Sequence, residues 1–361
     1  MAKTVLFVLL GLVSTVLWEM ASISTCACGT TVAAGGQYRV LPAIKHGNLT
    51  VFPVVAATSH DTTAFLTLDE GLKSGEVVVT ESGASPLRRG TPRLIPSEGS
   101  GQVNQLALVN NSKKPLLLLA GEIVTGGKQD RVIGKDRLIP AESDPIDLGV
   151  FCVEPGRWTG SSAKFGALGA IAQPSVRAKA MSDKDQQMVW SEVRNSQAKL
   201  AAAAPPPAAR EMSETTSYAR VMQNDAVKQQ VDSVAAPIER GYQSVIQQLR
   251  EKNAVGVVVA VNGRLIWADL FASNSLLEKY WPKLIRSYAA EAVVVQAKDH
   301  DLDQGAAQKF LDEMTGSHQT VESEPGLYRH TEVSGDGFKA FELTSLLPKT
   351  GFDLHVAKLA E

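Results

Sequence analysis

Between Tyr38 and Val153 the apolar residues fall into short runs broken by Gly, Pro, Asn and Ser. The runs "LTVFPVV", "AFLTL", "EVVVTE", "NQLALVN", "PLLLLAGEIV" and "DLGVFCVE" have the length and β-branched content of strands. "LDEGLKSG" predicts one helical turn stopped at Gly75. After Trp158 the pattern changes. "GSSAKFGALGAIAQPS" is rich in small residues and reads as irregular. "SDKDQQMVWSEVRNSQAKLAAAA" reads as a helix capped by Ser182 or Asp183, with Met188, Trp190 and Val193 on its apolar face.

The tract "AAAAPPPAAR" (201–210) ends that helix, and its prolines predict a stiff, solvated connector. A helical stretch over 214–251 follows, with an interruption expected near Pro237. "VGVVVAVNGRLIWADLF" is a hairpin signal. Its two apolar runs flank Asn262-Gly263, a pair suited to a tight turn that needs positive φ at both central residues. "SNSLLEKYWPKLIRSYAAEAVVV" predicts a capped helix, and 304–314 a shorter one. "GLYRHTEVSGDGFKAFELTS" predicts a second hairpin, and "FDLHVAKL" a closing strand. The expected fold is α+β: a β-rich N-terminal part (36–175) packed with a C-terminal hairpin-and-helix part (213–361). The helix and Ala/Pro-rich linker (176–212) lie between them, with one core shared by both.

The first residues concern the compartment. Lys3 precedes the apolar run Thr4–Trp18, and small residues follow Glu19. This is the three-part layout of a secretory signal peptide, expected over 1–27. Crossing a bilayer takes ~20 apolar residues, and Glu19 cuts the run short of that. An exported, periplasmic or extracellular protein is the expectation, with membrane contact only through the leader or a lipid anchor. Two of the three cysteines, Cys26 and Cys28, sit at the junction. Thr25 directly before Cys26 fits a lipoprotein site poorly. Cys152 lies inside an apolar strand pattern and reads as a packing residue rather than a nucleophile.

With 44% hydrophobic and 20% charged residues the chain can build an ordinary globular core. A net charge of −2, without a basic run, argues against nucleic acid as a partner. "GEIVTGGKQ" is not a phosphate loop: Glu122 replaces its first glycine and Gln129 the magnesium-binding hydroxyl. "DHDLDQG" (299–305) has Gln304 where a calcium loop needs glycine. The six histidines show no metal-ligand spacing, so no metal is expected, and no GxSxG elbow occurs.

The densest polar chemistry lies in "GEIVTGGKQDR" and "FCVEPGRW". Together they offer cationic donors (Lys128, Arg131, Arg157), acceptors (Glu122, Asp130, Glu154), the amide of Gln129 and a stacking surface (Trp158). If their strands are neighbours, these groups meet at one end of a sheet. There they would either hold an anionic or nucleotide-like small molecule or pair with one another to fix loop geometry.

At "GEIVTGGKQDRVI", "FCVEPGRW", "VWSEV", "VGVVVAVNGRLIWADLF" and "YWPKLIRSY" the chain resembles a bacterial family, the ARG and Rhodanese-Phosphatase-superfamily-associated protein domain. The likeness covers about Tyr38 to Leu359. The family name reflects gene association with ADP-ribosylglycohydrolases and rhodanese-like phosphatases, which implies a link to ADP-ribose or NAD-related metabolism. The resemblance supplies no catalytic residues, so the motif side chains enter as motif positions only. An exported binding or interaction module is the first expectation. An enzyme on a nucleotide or ADP-ribose-like compound, with Glu122, Asp130 or Glu154 as acid or base, is the second. A structural envelope protein is the third.

Overall fold

The longest uninterrupted apolar run, Ala254–Val261, forms a strand buried at every position, as a strand covered on both faces must be. It lies at the centre of a computed structural model that describes residues 37–82, 104–157, 162, 164–248, 253–298 and 300–361. The predicted leader, Cys26, Cys28, Trp158 and Asp299 lie outside the described residues. Among the described residues no helix is long and apolar enough to cross a membrane.

The described chain opens with β1 (Tyr38–Val40), β2 (Ile44–His46) and β3 (Leu49–Ala56). Next come β4 (Leu66–Thr67), α1 (Leu68–Ser74), β5 (Val77–Glu81), β6 (Gln105–Asn110) and β7 (Leu116–Leu118). They are followed by β8 (Glu122–Gly126), β9 (Arg131–Ile133), β10 (Arg137–Ile139), β11 (Ile146–Cys152) and β12 (Phe165–Ile171). A helical block holds α2 (Pro174–Ala178), a π-helical turn (Lys179–Asp183), α3 (Gln186–Ala203), α4 (Pro206–Ser213), α5 (Tyr218–Gln223) and α6 (Asp225–Gln248). The chain then builds β13 (Ala254–Val261), β14 (Arg264–Phe271), α7 (Asn274–Val293) and α8 (Gln304–Asp312). Four strands close it: β15 (His318–Glu324), β16 (Tyr328–Gly335), β17 (Phe338–Ser345) and β18 (Asp353–Ala360).

The expected α+β class is what the structure shows. The largest sheet runs β1-β3-β13-β14-β18-β17-β16-β15, with β2 also on β3, and all its pairs are antiparallel. The first three strands therefore leave the β-rich first part and join the sheet of the last part. α6 and α7 cover one face, where Tyr242, Trp281 and Ile285 pack with Val257, Trp267 and Phe341. α8 covers part of the other through Phe310 and Leu311. The remaining strands form a six-stranded sheet, β12-β8-β9-β11-β6-β5, and a three-stranded one, β10-β7-β4. Leu108, Leu118 and Val150 fill the space between these two sheets. Leu117, Leu119 and Leu138 belong to the same core as the large sheet.

Several elements differ from the sequence reading. "FGALGAI" is a strand on β8, bulged between Ala167 and Ile171, rather than irregular chain. Its small residues gave no apolar alternation to read. "PLLLLAGEIV" is two strands, split at Gly121. There φ is +93°, and a Cβ would meet Arg177 at 2.8 Å. α3 is capped by Asp185, not by Ser182 or Asp183, which lie in the π-helical turn. The prolines end α3 as expected, but Pro206 and Pro207 then start α4, where a missing N–H costs nothing. α6 runs through Pro237 unbroken, and the interruption falls at Asn224 instead. β15 was invisible because its pattern is almost wholly polar and exposed. Asn262 (φ +52°) and Gly263 (φ +69°) form the expected tight turn.

Candidate functional site

The two polar clusters were expected together only if their strands are neighbours, and they do meet. β9 and β11 pair antiparallel, with Arg131 opposite Cys152. Gly126 and Gly127 turn the chain ahead of β9 with φ of +137° and +51°. Inside the turn the side chains bond to one another. Arg157 Nη2 lies 2.6 Å from Glu154 Oε2 and 3.4 Å from Asp130 Oδ1. Its Nη1 donates to the Gly127 carbonyl at 3.0 Å. Asp130 also accepts from Ser217 Oγ at 2.9 Å and from the Gly126 N–H at 3.2 Å. Glu154 takes the Asp130 N–H at 3.1 Å, and its carbonyl accepts from Gln129 Nε2 at 3.1 Å.

Arg131 is fully buried, donating to the Gln129 carbonyl at 2.7 Å and facing Glu81 at 3.7 Å. The Lys128 backbone N–H also ends on Glu81, at 2.7 Å. Burial, then the Glu154 charge, raises the Asp130 carboxyl. The hydrogen bond to Glu154 raises Arg157 further above its ordinary range. Cys152 is a buried free thiol pushed up by burial, the opposite of what a nucleophile needs.

Glu122 does not join this cluster. Its carboxylate accepts from Lys283 Nζ of α7 at 2.5 Å and from the Leu119 N–H at 2.8 Å. Burial opposes the Lys283 charge, but Glu122 and Asp69 outweigh it and hold the ammonium above its usual range.

A second buried network was not read from the sequence, because its members lie far apart in the chain. His355 of β18 stands between two carboxylates, with Nδ1 2.5 Å from Asp136 Oδ2 and Nε2 3.1 Å from Asp269 Oδ1. Asp269 also pairs with Arg177 Nη1 at 2.9 Å and accepts from the Tyr288 hydroxyl. Arg177 Nε donates to the Ala120 carbonyl at 2.8 Å, and Asp136 takes the Ala120 N–H at 2.7 Å. Burial disfavours the imidazolium, yet Asp136 and Asp269 prevail and the His355 pKa is pushed up to about 9. Two anions and two cations thus compensate each other, tying α2 and the loop after β9 to the large sheet.

The open polar site lies at one end of that sheet. Tyr38 of β1, His60 after β3, Arg329 of β16, Thr344 of β17 and Phe352-Asp353 at the start of β18 line a cavity of about 350 Å³. The His60 and Phe352 rings stack at 4.1 Å with 12° between planes, and the backbone N–H of His60 donates to the Ala272 carbonyl at 2.9 Å. Thr344 Oγ1 fixes Asp353 at 2.7 Å. Glu342, two residues before Thr344 on β17, is buried, and its Oε1 has no partner among the described residues. Burial, then Asp353, raises its pKa to about 7 against the pull of Arg329. Burial and the same two carboxylates push the Tyr38 phenol up to about 12. Among the described residues no group of side chains is arranged to hold a metal.

A flat stacked wall, a guanidinium and the Asp353 carboxylate can take a ring, an anionic group and hydroxyls respectively. No sequence signal marked these positions, since each comes from a different strand end.

The family model of the ARG and Rhodanese-Phosphatase-superfamily-associated protein domain matches residues 37–357. No curated protein and no solved structure matches the chain.

Proposed function

The chain belongs to the ARG and Rhodanese-Phosphatase-superfamily-associated protein domain family, and we propose that it is a binding module for a small, anionic, nucleotide-like molecule. The cavity at Tyr38, His60, Arg329 and Phe352 supports this reading most directly. Its volume of about 350 Å³ falls in the range of small-molecule clefts, ~300–1,000 Å³. His60 and Phe352 offer a stacking wall, Arg329 a partner for phosphate, and Asp353 an acceptor for sugar hydroxyls. The family's association with ADP-ribosylglycohydrolases makes ADP-ribose the first compound to test.

Gln129, Asp130, Arg131, Glu154 and Arg157 serve as the frame of the six-stranded sheet in this reading. Their hydrogen-bonding capacity is largely spent on one another. Calorimetric titration with ADP-ribose tests the proposal, and binding that is indifferent to Arg329→Met would refute it.

One observation favours catalysis as a second reading. Glu342 beside Asp353 is a carboxyl poised near neutrality with a carboxylate neighbour, the arrangement used for general acid–base work. Turnover of a nucleotide panel lost in Glu342→Gln would establish it. Export remains part of the proposal and rests on the leader pattern of 1–27. Mass spectrometry of the envelope fraction should find an N-terminus between Ala21 and Cys28, whereas an intact Met1 would overturn it.

A further inference from the structure

We propose that β15 is a dimerisation edge, which pairs antiparallel with β15 of a second copy of this chain and joins two large sheets into one. The two outer strands of the sheet are treated differently. At β1 the outer backbone groups are taken up by α8. Gln308 Oε1 accepts the Val40 N–H at 2.8 Å, Gln304 Nε2 donates to the Val40 carbonyl at 2.8 Å, and Gln308 Nε2 donates to the Tyr38 carbonyl at 3.2 Å. At β15, among the described residues, β16 is the one strand that pairs.

The register shows which groups are left over. The Leu346 N–H bonds the Leu327 carbonyl, so odd-numbered residues of β16 turn their backbone groups to β17 and even-numbered ones to β15. Their partners on β15 are the even-numbered residues. Gln319, Val321 and Ser323 therefore point their N–H and C=O groups outward, a template for another strand.

The side chains select what that strand is. "HQTVESE" is complementary to itself when two copies run in opposite directions about Val321. His318 then stands opposite Glu324 of the second copy, Gln319 opposite Ser323, Thr320 opposite Glu322, and Val321 opposite its own copy. All seven residues take part, no like charges are opposed, and the two-fold axis makes every contact twice. Centring the pair on Glu322 would set that carboxylate against itself, and centring it on Ser323 would oppose Glu322 to Glu324. A shift the other way takes the end of the strand out of the pairing. Val321 is 37% exposed, one of two large apolar side chains left so among the described residues, and it comes to lie on the axis. The two glutamates are already partly neutralised within the molecule, Glu322 by Lys135 at 2.6 Å and Glu324 by Arg137 at 3.8 Å.

Sedimentation equilibrium on the full chain, taken to millimolar concentration, should show a reversible monomer–dimer equilibrium. Val321→Lys, a change at an exposed position, puts two ammoniums on the axis and should weaken association at least tenfold. Thr320 gives a test of opposite signs at one site. Thr320→Glu opposes a carboxylate to Glu322 and should weaken the dimer severalfold, whereas Thr320→Lys opposes a cation and should tighten it severalfold, more so at low salt. Circular dichroism checks that each variant keeps the parent fold. A monomer at every concentration would leave the edge to a strand of some other protein and overturn the proposal. A dimer indifferent to Val321→Lys, or one that Thr320→Glu and Thr320→Lys shift in the same direction, would overturn it too.

Discussion

Arg157 Nη2 lies 2.6 Å from Glu154 Oε2, three residues away, and reaches across to Asp130 as well. The two polar motifs that stand out in the sequence therefore face each other. Replacing Arg157 with Gln leaves two neighbouring carboxylates, Asp130 and Glu154, without their shared cation. A loss of about 1–3 kcal/mol in unfolding free energy is expected. Denaturant titration measures it, and ligand affinity at the Tyr38–Arg329 cavity should not change.

His355→Gln should cost more, about 3–5 kcal/mol, because it leaves Asp136 and Asp269 charged and buried with Arg177 alone to compensate them. The same histidine sets a pH dependence. Its folded pKa of about 9 lies above the ordinary 6.5. Its contribution is therefore complete below pH 6.5 and fades as the pH rises through 9. Thermal unfolding of the parent should show a falling melting temperature across that window, and the variant a flatter one.

Lys283→Met removes the cation at 2.5 Å from buried Glu122 and should destabilise by about 3–5 kcal/mol. Adding Glu122→Gln should recover part of that loss, because the uncompensated charge goes with it. Additive losses in the double-mutant cycle would show that the pair is not coupled.

Glu342 does not line the cavity but acts on it through the charges of Asp353 and Arg329, which do. With a pKa of about 7 it is protonated on the acid side of neutrality and charged above it. An anionic ligand should bind severalfold more tightly at pH 6 than at pH 8, since the ionised carboxylate repels it. Glu342→Gln should abolish that slope. His60→Phe, which keeps a stacked ring, should retain it. Calorimetry at several pH values distinguishes these outcomes.

Much of the fold was legible because its signals are local. The Asn262-Gly263 turn, the all-apolar Ala254–Val261 and the Gly75 stop each need only neighbouring residues to be understood. The motif cluster was legible for a similar reason, since β9 and β11 are close in sequence and pair directly. What could not be read is how Asp130, Glu154 and Arg157 divide their hydrogen bonds. That depends on side-chain geometry and on Ser217, which arrives from the helical block. The cavity was hidden more deeply. His60, Arg329 and Asp353 have no common spacing and meet only because the finish of β3 and the starts of β16 and β18 lie at the same end of one sheet. β15 and β12 escaped notice because polar or small side chains suffice for edge strands.

The most direct test of the binding assignment is a side-by-side calorimetric titration of ADP-ribose into the parent, Arg329→Met and Arg157→Gln at pH 6. Saturable binding in the parent and in Arg157→Gln, with at least a tenfold loss in Arg329→Met, is the predicted result. Binding that survives Arg329→Met and disappears in a folded Arg157→Gln variant would place the site at the paired motifs and contradict the assignment.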